Sequence, residues 1–227
     1  AKDSLQGILC KPENFDPSQK YPMLVYFYEK RSDNLNRYNI PSPIATVINW
    51  SYCVSNGYLV FIPDVVFRKG EPGASSYDAV VSGVKSLIDR YDFIDKDRIA
   101  LNGHSWGGYQ IAFLVTRTNM FKAAVSGAPV VNMTSAYGGI RWESGKSRMF
   151  QYEQTQSRIG GTLWDKPAEF IRNSPLFFLP QVQTPVLIMH NDKDGSVMWE
   201  QGIEFFMALR RLDKPVWLFN YKGEGHH

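Results

Sequence analysis

The stretch Gly103-His104-Ser105-Trp106-Gly107 constrains the fold more than any other part of the chain. Residues 98–101, Arg-Ile-Ala-Leu, read as a short buried strand before it. Residues 109–117 read as a helix after it, with apolar Ile111, Ala112, Leu114 and Val115. Gly-x-Ser-x-Gly on a tight turn from strand to helix is the pattern of a nucleophile elbow, which lifts a serine hydroxyl above the end of a sheet. Such a turn is crowded, and Gly103 and Gly107 spare it Cβ clashes with the flanking strand and helix. The Trp106 N–H falls at the helix N-terminus, where unpaired donors face whatever the serine attacks.

The rest of the chain supplies what such an elbow needs. Residues 4–9 read as a strand, followed by a Pro/Asn/Asp-rich turn. Residues 21–28, Tyr-Pro-Met-Leu-Val-Tyr-Phe-Tyr, form an apolar run too short for a typical helix and predict a strand buried on both faces. A helix is expected over 44–56, stopped by Gly57, and a strand over 58–62. Tyr77, Val80, Val81, Val84, Leu87 and Ile88 recur at helical spacing and predict a helix over 75–90. Further strands are expected at 123–125, 185–190 and 216–221, and an amphipathic helix at 199–212. Residues 132–175 are polar, aromatic and irregular, and predict short helices and loops over the sheet edge, a possible small cap. Alternating strands and helices imply an α/β fold: a mostly parallel central sheet with helices on both faces. At 227 residues, one such domain has a sizeable core.

Composition narrows the function by exclusion. A net charge of +3 with no basic run gives no reason to expect nucleic acid. No apolar run reaches membrane-spanning length. Cys10 and Cys53 have no metal or redox spacing and read as two buried thiols rather than a bridge. Asn49-Trp50-Ser51 and Asn132-Met133-Thr134 fit a glycosylation pattern that is common by chance. The chain begins at Ala1 without an initiator Met or leader and stops at His226-His227, which reads as a piece of a longer protein. Compartment and oligomeric state are therefore left open.

A serine needs a base, usually a histidine held by a carboxylate. Behind an elbow of this type the chain order is Ser, acid, His. His104 precedes the serine and is expected to turn away from it, and His190 precedes the acid candidates. That leaves His226 or His227 as base. The acid belongs in the loop after the preceding strand, which offers Asp192 and Asp194. Either aspartate could instead cap the helix that follows. Asp-x-Asp also begins calcium loops, but Val197 stands where that loop needs Gly and Ile203 where it needs Glu, so no metal is expected. No cofactor is expected either.

With these three segments in hand, the chain resembles the catalytic domain of the prolyl oligopeptidase family of serine peptidases. Gly103-His104-Ser105-Trp106-Gly107-Gly108-Tyr109 is similar to that family's elbow, and its added Gly-Tyr is more specific than the general esterase pattern. His190-Asn191-Asp192-Lys193-Asp194-Gly195-Ser196-Val197 resembles the family's acid loop, with the acid three residues before the Val, which selects Asp194. Tyr221-Lys222-Gly223-Glu224-Gly225-His226 resembles its histidine loop and selects His226. The resemblance implies an α/β-hydrolase fold and a second oxyanion donor, a tyrosine hydroxyl after a strand beginning Tyr-Pro; here that is Tyr28. Val130 matches a position lining the pocket for the residue before the cut, and Val197 is another candidate wall. The basic and aromatic residues of 137–158 find no clean counterpart and are assigned no role.

The resemblance runs along nearly the whole chain, read as one catalytic domain over 1–227. The family's N-terminal β-propeller and its final helix after the histidine have no counterpart in it. What the resemblance implies is a peptidase acting on oligopeptides through an acyl-enzyme on Ser105. An ester hydrolase with the same triad, and a non-catalytic domain that kept the fold, are the competing readings. Relative turnover of a peptide amide and a matched ester separates the first. Failure to react with any acylating reagent favours the second.

Overall fold

Apolar strands and one-sided helices alternate along the chain because each strand needs both faces covered. The computed structural model describes residues 4–38, 41 and 48–227. Its first half contains β1 (Gly7–Cys10), β2 (Tyr21–Tyr26), α1 (Trp50–Ser55), β3 (Leu59–Pro63), α2 (Pro72–Arg90), β4 (Ile94–His104), α3 (Trp106–Val115) and β5 (Ala123–Gly127). Then come α4 (Met133–Tyr137), a two-stranded hairpin of β6 (Ile140–Arg141) and β7 (Lys146–Ser147), α5 (Met149–Glu153) and α6 (Pro167–Arg172). The chain returns to the sheet with β8 (Val186–Met189), α7 (Trp199–Arg211) and β9 (Val216–Phe219). The seven-stranded sheet has the order β1-β3-β2-β4-β5-β8-β9, parallel throughout except for β1 against β3. Among the described residues no helix is long and apolar enough to cross a membrane.

One sheet face carries Met23, Val25, Leu59, Phe61, Ile99 and Leu101, packed in one core with Val80 and Val84 of α2, Ile111 and Leu114 of α3, and Phe205 and Leu209 of α7. Tyr26, Val60 and Ile62 alternate with these and pack with Trp50, Cys53 and Val54 of α1 on the other face. The first part of the helix expected over 44–56 lies outside the described residues; what is described begins at Trp50. Both cysteines are free and partly buried, and burial raises their thiol pKa values. The two glycosylation-type asparagines are helix N-caps: the Asn49 side chain accepts from the Tyr52 N–H, and that of Asn132 from the N–H groups of Thr134 and Ser135.

Two element starts and one placement depart most from expectation. α2 starts at Pro72 rather than Ser75, because Pro at the first helical position suits a helix start and Gly73 faces the Phe113 ring where a Cβ would be 2.3 Å away. β4 starts at Ile94 rather than Arg98, through an irregular register in which Tyr21 pairs Ile94 and Met23 pairs Ile99. Half-buried Asp95 and exposed Lys96 and Asp97 fall in that bulge and hide its periodicity. The segment over 132–175 does hold short helices, but it does not lie at the sheet edge: Met133, Tyr137, Tyr152 and Phe170 form one apolar cluster with Trp106 and Tyr109 at the start of α3.

Candidate active site

All five loops of interest leave the same end of the sheet. β2, β4, β5, β8 and β9 are mutually parallel, so the loops following Tyr26, His104, Gly127, Met189 and Phe219 emerge side by side. Tyr28, Ser105, Val197 and His226 line one cleft of about 250 Å³ at that end.

Ser105 joins β4 to α3 with φ 58° and ψ −115°, a left-handed backbone that a side chain rarely adopts. Its N–H donates to Gly127 O (2.8 Å) and its carbonyl accepts from the Tyr109 N–H (3.0 Å), so both neighbours hold the strained turn. The elbow is as crowded as expected. A Cβ on Gly107 would lie 2.8 Å from Phe27 O, and one on Gly108 only 2.2 Å from Gly127 O. As first residue of α3, Trp106 has an N–H with no acceptor within the helix.

The acid and histidine loops are stitched together. Asn191 donates to Gly225 O (2.8 Å) and accepts from the Tyr221 N–H (3.1 Å), while Asp192 accepts from the Gly223 N–H (2.7 Å). Asp192 is thereby occupied in holding the loop. Asp194 and His226 are buried and face each other, with Asp194 Oδ2 2.7 Å from His226 Nδ1. Asp194 Oδ1 accepts from the N–H groups of Ser196 and Val197, both at 2.8 Å. Burial works to raise the Asp194 pKa, but hydrogen bonds from His190, His226 and the Val197 N–H outweigh it and hold the carboxyl well below its ordinary range. An ionised carboxylate only accepts, so His226 Nδ1 carries the proton and Nε2 of the neutral ring keeps its lone pair. His227, the other candidate, is exposed.

Chain order excluded His190 as the base, but the residue has a place beside the acid. Its Nε2 lies 3.1 Å from Val197 O and 3.3 Å from Asp194 Oδ2, both acceptors, so Nε2 carries the proton. Gly202 of α7 makes room for this ring, since a Cβ there would sit 2.5 Å from His190 Nδ1. His104, expected to turn away from Ser105, lines the same cleft, and its ring centroid is 4.7 Å from that of His226. Burial, with the neighbouring His226 and His227, pulls its pKa down to about 4.

Tyr28 lies beyond the end of β2, and its hydroxyl accepts from Gln156 Nε2 (3.0 Å). Val197 is on the cleft wall; Val130 is buried in the adjoining cluster with Trp106 and Tyr109. Arg31, Arg141, Arg148, Gln151 and Gln156 also line the cleft. All but Arg31 come from the irregular segment, where neither periodicity nor motif singled them out.

Residues 48–227 match the sequence profile of the Prolyl oligopeptidase family. "Uncharacterized peptidase YuxL" of Bacillus subtilis is 31% identical over 163 residues, covering 70% of this chain and 23% of that protein. Human dipeptidyl peptidase 8 is 27% identical over 237 residues, covering 98% of this chain and 25% of that protein. A solved structure titled as a putative dipeptidyl aminopeptidase IV from Bacteroides ovatus superposes over 100% of this chain and 31% of its own, with a TM-score of 0.78 at 24% identity, a likeness of fold. The chain thus spans about a quarter of the length of the curated relatives named here. A parallel sheet of the α/β-hydrolase type, an elbow serine at its strand ends and a profile match over most of the sequence lead to one assignment: the chain belongs to the prolyl oligopeptidase family.

Proposed function

We propose that this domain hydrolyses peptide bonds through an acyl-enzyme formed on Ser105. The observation that carries the reading is the buried Asp194–His226 pair, at 2.7 Å, whose histidine lines the cleft that also holds the strained Ser105. In this reading Ser105 Oγ attacks the scissile carbonyl while His226 Nε2 takes its proton. His226 then gives that proton to the leaving amine, and water resolves the ester by the same two transfers in reverse. Asp194 fixes the imidazole tautomer and stabilises the imidazolium; its low pKa keeps it ionised throughout. His190, donating to the same oxygen, is a positioning residue for Asp194.

The Trp106 N–H and the Tyr28 hydroxyl are the proposed oxyanion donors. A phenol is protonated at neutral pH and can donate to a developing alkoxide. The Tyr28 hydroxyl accepts from Gln156, so its own hydrogen stays available for the oxyanion. Val197, with Val130 behind it, is the proposed wall for the side chain preceding the cut.

Labelling with a fluorophosphonate, with the adduct mapped by mass spectrometry, tests this directly. The expected result is an adduct on Ser105 that His226→Ala abolishes. An intact fold with no adduct on Ser105 rejects the reading. A labelled protein that turns over an ester but not its matched amide would make it an esterase instead.

A further inference from the structure

The cleft contains three arginines, Arg31, Arg141 and Arg148, and no aspartate or glutamate among the described residues lining it. Their situations differ. Arg141 is half-exposed and pairs with Glu143 at 3.4 Å. Arg31 lies over the Tyr28 ring, 5.6 Å from its centroid, with no carboxylate within ion-pair distance among the described residues. Arg148 is 3% exposed, and its Nη1 is buried with no hydrogen-bond partner. Among the described residues no carboxylate pairs with it; its Cζ is 5.7 Å from the centroid of the Tyr152 ring, a neutral neighbour whose phenol feels its charge.

The backbone fixes where Arg148 sits. Its N–H donates to Gly139 O (3.0 Å) and its carbonyl accepts from the Gln151 N–H (2.9 Å), anchoring it between β7 and α5. A buried guanidinium cannot escape its charge by losing a proton. Without a counter-ion it is a standing cost to the fold, since removal from water is not compensated. An anion that completes the site would remove that cost, and the cleft admits what Ser105 is to attack.

We infer that the cleft selects peptide substrates by a carboxylate near the scissile bond, bound by Arg148 with Arg31 as a second cation. The inference rests on the proposed peptidase reading and adds the substrate class. The planar fork of Arg148 fits a carboxylate through paired N–H donors. Two sources carry this chemistry: an Asp or Glu side chain, and the C-terminal carboxylate of a short peptide.

Calorimetry on the full-length protein bearing Ser105→Ala separates these possibilities, because binding does not require turnover. The probes are tetra-alanine with a free C-terminus, its C-terminal amide, and amides with Glu at each position in turn. A carboxylate-bearing peptide is expected to bind at least about tenfold more tightly than the neutral amide. Preference for the free acid alone identifies the C-terminus as the source, and preference for a Glu-bearing amide identifies a side chain. Arg148→Gln is expected to erase the difference, and Arg148→Lys to keep part of it. Equal affinity across all probes, or a preference that survives Arg148→Gln, overturns the inference. Melting is a second readout. Arg148→Gln is expected to hold or raise Tm, and a fall of several degrees would mean a structural partner and overturn it too. If carboxylate binding is present but the wild-type protein forms no fluorophosphonate adduct, the peptidase reading falls and the carboxylate site stands. An adduct without carboxylate preference gives the reverse.

Discussion

In the elbow, backbone atoms decide where the functional group goes. Ser105 is held by Gly127 O and the Tyr109 N–H, and Gly107 and Gly108 lie where Cβ atoms would meet carbonyl oxygens. In the segment over 132–181 side chains do the placing. Asn132 caps α4, Tyr137 donates to Glu153 (2.6 Å), Arg158 pairs with Glu29 (3.3 Å), and aromatic rings fill the space over Trp106 and Tyr109. The difference teaches where tolerance lies. A site element built on main-chain contacts has almost no substitutions that keep it, because a carbonyl cannot move aside. One built on side chains can be repacked, and that is where a family with one chemistry can change what it binds.

The largest expected effect belongs to the elbow: Ser105→Ala should lower peptide turnover on the order of a millionfold, read from kcat, with the melting curve unchanged. Retained turnover would break the comparison outright by moving the nucleophile elsewhere. Gly108→Ala comes next. Its Cβ, 2.2 Å from Gly127 O, must push β5 and α3 apart, at about 3 kcal/mol or more, visible as a fall in the urea midpoint. A variant as stable as the parent would mean that the backbone there gives way, and the contrast would lose its basis.

His104 tests the elbow through pH. Its folded pKa of about 4 lies below the ordinary 6.5, so between those values the unfolded chain binds a proton that the native protein refuses. Stability should therefore fall as pH drops from about 6.5 to about 4, by up to about 3 kcal/mol. His104→Gln should flatten urea midpoints across that window, and an unchanged slope would assign the effect to other groups. Tyr28→Phe sharpens the comparison where the two regions meet, since Gln156 of the overlying segment donates to that hydroxyl. Removing one oxyanion donor should lower kcat about a hundredfold, with KM little changed, and an unaltered kcat would take Tyr28 out of the mechanism. The smallest effect is expected in the segment itself. Asn132→Ala loses a helix cap, worth about 1 kcal/mol in urea unfolding. A loss as large as that of Gly108→Ala would show that the segment is as rigidly specified as the elbow.

The same contrast explains what could be read from the sequence. The alternation of strands and helices and the candidate Ser105 were legible because each rests on a local signal, an apolar run or a Gly-x-Ser-x-Gly turn. Chain order narrowed the acid to Asp192 or Asp194 and the base to His226 or His227, and family resemblance selected Asp194 and His226. Tyr28 and Val130 were reached only through family resemblance, because a tyrosine in an apolar strand carries no local mark of its surroundings. His190 was read only for its position in the chain order. Its hydrogen bond to Asp194 depends on the α7 helix passing close enough to need Gly202, a tertiary fact. The arginines were not legible at all. A buried Arg148 with an unpartnered Nη1 looks in sequence like any surface cation between a short hairpin and a short helix.

The parallel strand order has a consequence for the timing of synthesis. β2 leads to Tyr28 early in the chain, whereas His226 follows β9, which among the described residues pairs only with β8, at one margin of the sheet. The proposed nucleophile Ser105 is therefore synthesised well before the proposed base His226, and β9 must dock in register on β8 before that imidazole reaches the cleft. In the proposed triad, completing the site thus waits on the docking of that strand.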